Sequence, residues 1–84
     1  MTIKMNNIND FIIENNILKK YMGKDCEVVI PKGVTKIDSN AFDSCEDVTR
    51  VVIPESVESI ETMAFFQCTG LSEIHIPNGV KTIG

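Results

Sequence analysis

The chain has 84 residues, of which 43% are hydrophobic, and its formal net charge at pH 7 is -4. This length allows one domain at most, in the size range where a compact core is only marginally stable. The negative charge argues against binding to nucleic acid, which needs a basic face to displace the counterions of the phosphates.

Residues 1–10, MTIKMNNIND, are polar and rich in asparagine. Chain ends of this composition are usually poorly ordered, so we predict a flexible N-terminus over residues 1–10. The stretch contains Lys4 but no apolar run of seven or more residues. We therefore expect neither a signal peptide nor membrane insertion in this chain, and the sequence leaves the compartment open.

Residues 11–27 have the pattern of a β-hairpin. Two β-prone runs, FII at residues 11–13 and ILKKY at residues 17–21, lie on either side of Asn15 and Asn16. Asparagine tolerates left-handed backbone angles and therefore favours a tight turn between two strands. We predict that this hairpin covers the N-terminal end of the array that follows, where strand edges would otherwise meet water.

From residue 28 onward the sequence repeats itself every 23 residues. Residues 28–45 read VVIPKGVTKIDSNAFDSC, residues 51–68 read VVIPESVESIETMAFFQC, and residues 74–84 read IHIPNGVKTIG. A fixed period of this size indicates a repeat array. We predict repeats at residues 28–50, 51–73 and, in part, 74–84. The predicted fold class is thus a β-rich repeat solenoid of about two and a half turns with an N-terminal hairpin cap.

The spacing between apolar residues changes along each repeat. Residues 28–30 alternate as a half-buried strand does, and Pro31 ends that strand because it has no N–H to donate. Residues 34–37 then send two more apolar side chains inward. We further predict that Ser39 or Thr62 caps a short helical turn carrying the Ala-Phe pair of its repeat.

Residues that are 23 apart should lie side by side on adjacent turns, with strands about 4.8 Å apart. Glu27, Arg50 and Glu73 would then form a column of alternating charge on the outward face. Asp38 would lie over Glu61, a like-charge pair with a small energetic cost.

The pattern L-x-x-I-x-I-P-x-x-V-x-x-I-x-x-x-A-F-x-x-C over residues 28–84 is similar to the BspA-like class of leucine-rich repeats. The run before it also looks like the hairpin cap of that family. The sequence departs from the pattern at Val48, Ser56 and Phe66. The resemblance implies a right-handed leucine-rich-repeat solenoid that binds through its surface, in a cell-surface or secreted bacterial protein. It does not imply a catalytic residue.

The cysteines and the histidine are the side chains best suited to catalysis or metal binding. Their positions in the sequence favour a structural role. Cys45 and Cys68 share a repeat position, which indicates a column of buried thiols in the core rather than a disulfide or metal site. Cys26 lies outside that column and is the reactive thiol if it is exposed. His75, in column with Val52, is predicted to face outward with no second ligand nearby. We therefore predict no cofactor and no metal, with a small enzyme using Cys26 or His75 as a weak alternative.

We predict a non-enzymatic protein-interaction or adhesion-type scaffold whose protein partner is unknown. The candidate interaction surface consists of Phe66, His75, Val52, Arg50 and Glu73. Phe66 is either an exposed binding anchor or a residue covered by a further repeat. A structural segment of a longer array, without binding of its own, is the alternative function. The apolar residues of the last repeat, with no polar cap after them, also predict self-association through the C-terminal end.

Overall fold

The structure is a computed structural model that describes residues 6–43, 45–65 and 67–83. In these ranges no helix is long and apolar enough to cross a membrane. The described residues form eight short strands and one turn of 3-10 helix, Ile8–Asp10. The strands are β1 (Phe11–Glu14), β2 (Ile17–Tyr21), β3 (Glu27–Val29), β4 (Lys36–Ile37), β5 (Arg50–Val52), β6 (Ser59–Ile60), β7 (Glu73–His75) and β8 (Thr82–Ile83).

The described strands form two sheets, with the orders β1-β2-β4-β6-β8 and β3-β5-β7. Each repeat contributes one strand to each sheet, and the strands of successive repeats pair in parallel. Glu27 is paired with Arg50, and Arg50 with Glu73. The predicted 23-residue register is therefore confirmed. The strands β4, β6 and β8 were not predicted as strands, because two residues are too few for an alternating pattern to be recognised.

The predicted hairpin forms from β1 and β2, which pair in antiparallel orientation. Asn15 and Asn16 both have positive φ angles, 53° and 65°, as a two-residue type I′ turn requires. β2 then pairs in parallel with β4, which places Leu18 beside Ile37. The hairpin thus joins the five-stranded sheet at the end occupied by the first repeat.

Side chains from both sheets form one hydrophobic core. The residues predicted to point inward after each proline are buried as expected, Val34 and Ile37 in the first repeat and Val57 and Ile60 in the second. The other fully or almost fully buried residues are Phe11, Leu18, Tyr21, Val28, Ile30, Ala41, Phe42, Val48, Val51, Ile53 and Ala64.

Four aromatic rings form a continuous column through this core. Phe42 and Phe65, one repeat apart, stack with ring centroids separated by 5.0 Å. Tyr21 of the hairpin stacks on Phe42 at 5.4 Å, and Phe11 packs against Tyr21 at 5.1 Å. The hairpin therefore extends a column of the repeats, although Tyr21 precedes Phe42 by 21 residues instead of 23.

The segment that carries the Ala-Phe pairs is a series of turns, and the predicted short helix is wrong. Asn40 and Met63 have φ angles of 63° and 64°, in the left-handed region that a right-handed helix excludes. Because residues 39–43 and 62–65 form turns, there is no helical turn for Ser39 or Thr62 to cap; the Ser39 N–H donates to Oδ1 of Asp38 at 2.9 Å. The N–H of Ala41 closes the turn on the carbonyl oxygen of Asp38 at 3.2 Å.

The like-charge cost predicted for Asp38 and Glu61 is offset by lysines. Lys19 of the hairpin lies 3.3 Å from Asp38, and Lys36 lies 3.8 Å from Glu61. The pKa of Asp38 is lowered, first by the hydrogen bond from the Ser39 N–H and then by the hydrogen bond from Lys19. Each carboxylate therefore has its own cation nearby.

Ser56, which stands where the family pattern has glycine, links two successive turns. Its hydroxyl accepts a hydrogen bond from the N–H of Gly33 at 3.1 Å and donates one to the carbonyl oxygen of Val34 at 2.8 Å. Gly33 has a φ of 96°, which L residues rarely adopt. The Ser56 hydroxyl thus satisfies one N–H and one carbonyl group in the backbone of the preceding turn.

Asn6 ties the N-terminal segment to the three-stranded sheet. Its side-chain oxygen accepts the N–H of Val29 at 2.6 Å, and its side-chain nitrogen donates to the carbonyl oxygen of Glu27 at 2.9 Å. The same nitrogen donates to Asp25 at 2.8 Å. Asn6 is therefore held by three hydrogen bonds, while the flexibility expected for residues 1–10 stays a prediction and residues 1–5 lie outside the described part of the chain.

Candidate functional site

The outward side of the three-stranded sheet presents two rows of side chains. Because side chains alternate along a strand, the middle residue of each strand points into the core and its two neighbours point outward. We call this outward surface the strand face. Its six residues are Glu27, Val29, Arg50, Val52, Glu73 and His75.

The first row of the strand face is a ladder of ion pairs. Arg50 lies between two carboxylates, with Nη1 at 3.2 Å from Glu27 and Nε at 3.4 Å from Glu73. The hydrogen bond to Glu27 and the charge of Glu73 raise the pKa of Arg50 further. All three side chains are exposed, between 45% and 67%. The predicted column of alternating charge is confirmed, and it carries one net negative charge.

The second row of the strand face is mostly apolar. Val29 is paired with Val52, and Val52 with His75, in the parallel register. Both valines are half-buried, whereas His75 is exposed. The outward position predicted for His75 is therefore confirmed. An open depression of about 440 Å³ lies next to it, lined by Glu55, His75, Ile76, Pro77, Asn78 and Gly79.

Four of the five predicted surface residues meet on the strand face, namely Arg50, Val52, Glu73 and His75. The fifth, Phe66, lies outside the described residues. Asn6 borders the face and was missed, because a single asparagine in a polar segment carries no signal of what it binds. Its contact with Val29 depends on the folded position of the N-terminal segment.

Cys45 and Cys68 are less exposed than Cys26, as predicted, but they are not fully buried. Cys26 is exposed, Cys45 and Cys68 are half-buried, and all three are free. Burial raises the pKa of both Cys45 and Cys68. The Cys68 thiol donates to the carbonyl oxygen of Phe42 at 2.8 Å. The Cys45 thiol lies 3.9 Å from the carbonyl oxygen of Asp43, so both repeat thiols face backbone oxygens, and their raised pKa favours the protonated form.

The arrangement does not bring Cys26 near His75. The carbonyl oxygen of Cys26 accepts hydrogen bonds from Thr49 and Arg50, so Cys26 lies two strands away from β7 and three residues along the strand direction. That offset corresponds to roughly 14 Å, too far for a thiol and an imidazole to exchange a proton directly. In the described ranges, no three His, Cys, Asp or Glu residues are grouped so that they would hold a metal ion.

Parallel strands that recur every 23 residues over a shared core define the chain as a leucine-rich repeat protein. The family model described as "BspA type Leucine rich repeat region (6 copies)" matches residues 3–84, and the chain belongs to this family. The family is a repeat family and not a catalytic one. The resemblance noted in the sequence is thereby confirmed.

Two solved structures are similar to the chain. The T. pallidum leucine rich repeat protein has 32% identity and a TM-score of 0.85, over 95% of this chain and 42% of that one. A leucine rich cell surface protein from Faecalibacterium prausnitzii A2-165 has 44% identity and a TM-score of 0.54, over 57% of this chain and 13% of that one. The chain thus corresponds to less than half the length of either relative. A comparison with curated proteins gave no match.

Proposed function

We propose that the chain is a non-enzymatic protein-interaction scaffold of the adhesion type, and that its strand face contacts a protein partner. The observation that carries this proposal is the row of half-buried valines, Val29 and Val52, beside an ion-paired ladder centred on Arg50. Protein interfaces combine an apolar centre with a polar surround, and this face offers both on adjacent rows.

The geometry of the strand face favours binding without large rearrangement. Its side chains are carried by hydrogen-bonded strands, which position them more accurately than loops do. Arg50 is restrained by two carboxylates, so less side-chain entropy is lost when a partner covers it. Phe66, which lies outside the described residues, stays in the proposal as an additional aromatic anchor.

The proposed architecture is a right-handed solenoid in which residues 11–27 form the cap and residues 28–84 form the repeats. The parallel pairing of both sheets at a constant register supports it, since each turn then lies on the preceding one. A bacterial cell-surface location fits the family and the name of the F. prausnitzii relative, which is a cell surface protein.

The proposal is tested by measuring adhesion of beads coated with the chain to a panel of purified extracellular proteins and to epithelial cells. The test variant is Val52→Glu, which puts a charge into the apolar row of the strand face. The matched control is Ser59→Glu, at an outward, half-buried position of β6 in the other sheet. We expect saturable adhesion by the unaltered chain and by the control, and at least a tenfold loss with Val52→Glu.

A structural segment of a longer array is the second candidate function, supported by the small share of each solved relative that the chain covers. In that case none of the targets is bound, and the Val52→Glu and Ser59→Glu variants behave alike. Equal adhesion by all three proteins would contradict the strand face as the binding surface.

A further inference from the structure

Cys45 and Cys68 occupy equivalent positions in two successive repeats, and the backbone makes the same turn at each of them. The N–H of each cysteine donates to the carbonyl oxygen of the phenylalanine three residues earlier, at 3.2 Å in both repeats. The carbonyl oxygen of each cysteine accepts the N–H of the residue three positions later, at 3.2 Å for Cys45 and 3.1 Å for Cys68. The two side chains therefore start from matching backbone positions on neighbouring turns.

Contacts beside the cysteines hold these two turns close together. The N–H of Phe42 donates to the carbonyl oxygen of Ala64 at 2.7 Å, and the rings of Phe42 and Phe65 stack at 5.0 Å. Backbone segments joined by such hydrogen bonds are roughly 5 Å apart. A disulfide joins cysteines whose Cα atoms are roughly 4.4–6.8 Å apart. The spacing of the repeats thus suits a bond between Cys45 and Cys68.

The Cys68 sulfur crosses from its own repeat to the preceding one. Its thiol donates to the carbonyl oxygen of Phe42 at 2.8 Å, and the same oxygen accepts the N–H of Cys45 at 3.2 Å. Burial is the largest cause of the raised pKa of Cys68, and a hydrogen bond from the Cys45 backbone opposes that rise. The sulfur of one cysteine therefore lies beside the backbone of the other.

The Cys45 thiol belongs to the same junction between the repeats. Its sulfur lies 3.9 Å from the carbonyl oxygen of Asp43. Burial is the largest cause of its raised pKa, the charge of Cys68 raises that pKa further, and the charge of Lys20 lowers it. Both cysteines are half-buried, so part of each is open to small solutes. Two thiols and one cation are thus grouped at an accessible position.

We propose that Cys45 and Cys68 form a redox-active dithiol, which a small-molecule disulfide oxidises to a disulfide bond between the first and second repeats. The reduced pair in the structure agrees with the interpretation of these residues as core thiols, and the oxidised pair is a second state of the same site. No residue of the strand face takes part. The inference therefore goes beyond the proposed partner binding and does not depend on it.

Oxidation proceeds by two successive thiol–disulfide exchanges. The Cys45 thiolate, which the nearby Lys20 favours, attacks one sulfur of the small disulfide, so a new S–S bond forms as the old one breaks. The departing thiolate takes up a proton. The Cys68 thiolate then attacks the Cys45 sulfur and releases the second small thiol. In total the protein loses two electrons and two protons, and the small-molecule disulfide gains them.

The bond affects mainly the unfolded state of the chain. It links residues 23 positions apart and encloses β5 and β6, so the unfolded chain loses conformational freedom. The folded chain already holds the two turns side by side and loses little. We therefore expect a higher urea midpoint for the oxidised chain than for the reduced chain.

The experiment uses the 84-residue chain with Cys26→Ser, which removes the third, exposed thiol and keeps the pair. The protein is equilibrated with oxidised and reduced glutathione at increasing ratios, blocked with N-ethylmaleimide and digested with trypsin. Cleavage after Arg50 separates the two remaining cysteines into the peptides 37–50 and 51–81. We expect mass spectrometry to find these two peptides joined, with a mass two hydrogens below their sum.

A comparison with the unfolded chain measures what the fold contributes. The effective concentration of one thiol toward the other should be at least about tenfold higher in buffer than in concentrated urea. The controls Cys45→Ser and Cys68→Ser, each combined with Cys26→Ser and checked for folding by circular dichroism, should stop at a mixed disulfide with glutathione. An absence of joined peptides in the folded chain, an effective concentration no higher than in urea, or a urea midpoint that oxidation does not raise would overturn the inference.

Discussion

The hairpin at one end of the array and the last repeat at the other end present the same type of surface, strands over apolar side chains, but differ in how they are covered. In the hairpin, Leu18 and Tyr21 are almost completely buried. In the last repeat, Ile76 is 40% exposed, although the same position one repeat earlier is 2% exposed. Burial at a repeat position therefore depends on the neighbouring turn as much as on the residue itself.

The hairpin achieves its coverage without the sequence of a repeat. Leu18 lies beside Ile37 at an offset of 19 residues, and Tyr21 stacks on Phe42 at an offset of 21. The Tyr21 hydroxyl also accepts the N–H of Asp25 at 3.1 Å, which fixes the chain as it leaves the hairpin. A segment outside the 23-residue period can thus fill the core columns and satisfy the polar groups that a repeat would leave open.

The largest expected loss of stability comes from shortening a side chain of the aromatic column. Phe42 lies nearer the hairpin and Phe65 lies one repeat further away. Phe42→Ala should destabilise the chain by about 3–5 kcal/mol, because Phe42 is fully buried between two rings. Phe65→Ala should cost less, about 2–3 kcal/mol, since Phe65 is only half-buried. Urea denaturation followed by circular dichroism measures both. Equal losses of stability in the two variants would mean that Phe65 is as well covered in solution as Phe42.

The second prediction compares the substitutions Gly70→Ala and Gly79→Ala, each of which adds one methyl group. At Gly70 the added Cβ would collide with the carbonyl oxygen of Glu46, whereas at Gly79 in the last repeat it would meet Glu55 at 3.4 Å. Gly70→Ala should cost about 1–3 kcal/mol, since backbone must move to make room. Gly79→Ala should be close to neutral, and a loss as large as that of Gly70→Ala would contradict the looser packing at this end.

Removal of Asn6 tests how the covered end is held. Asn6→Ala should cost about 1–2 kcal/mol, because the N–H of Val29 and the carbonyl oxygen of Glu27 lose their partner. The control is Asn9→Ala at an exposed position, where a change within about 0.5 kcal/mol is expected. Hydrogen exchange should accelerate at the Val29 amide in the first variant only. Unchanged exchange there would contradict the role assigned to Asn6.

The prediction with the smallest expected effect on stability concerns the thiols. It is tested mainly through the rates at which they are alkylated. In a brief alkylation pulse followed by mass spectrometry, exposed Cys26 should be labelled before half-buried Cys45 and Cys68. Burial raises the pKa of the latter two, so folding favours their protonated form. This contribution is present below their unfolded-state pKa and is lost as the pH rises through the folded-state pKa. Labelling of Cys45 ahead of Cys26 would contradict the placement.

The sequence by itself determined the register of the array. Because the period is constant, residues 23 apart must lie on neighbouring turns, and this arithmetic places Arg50 between Glu27 and Glu73 before any coordinates are known. The same arithmetic places His75 beside Val52 on the strand face. A repeated pattern carries this information because every turn has the same length and buries the same positions.

Only the tertiary structure decided the features that depend on contacts outside the period. Asn40 adopts a left-handed conformation in place of a helical turn, in a segment whose N–H groups bind the next repeat, as that of Asn40 does to Met63. Lys19 reaches Asp38 because the hairpin joins the five-stranded sheet at an irregular offset. Asn6 ends the other sheet through a side chain, which no hydrophobic pattern records. Such contacts join residues that are far apart in the chain without a repeating distance, so they become visible only once the chain is folded.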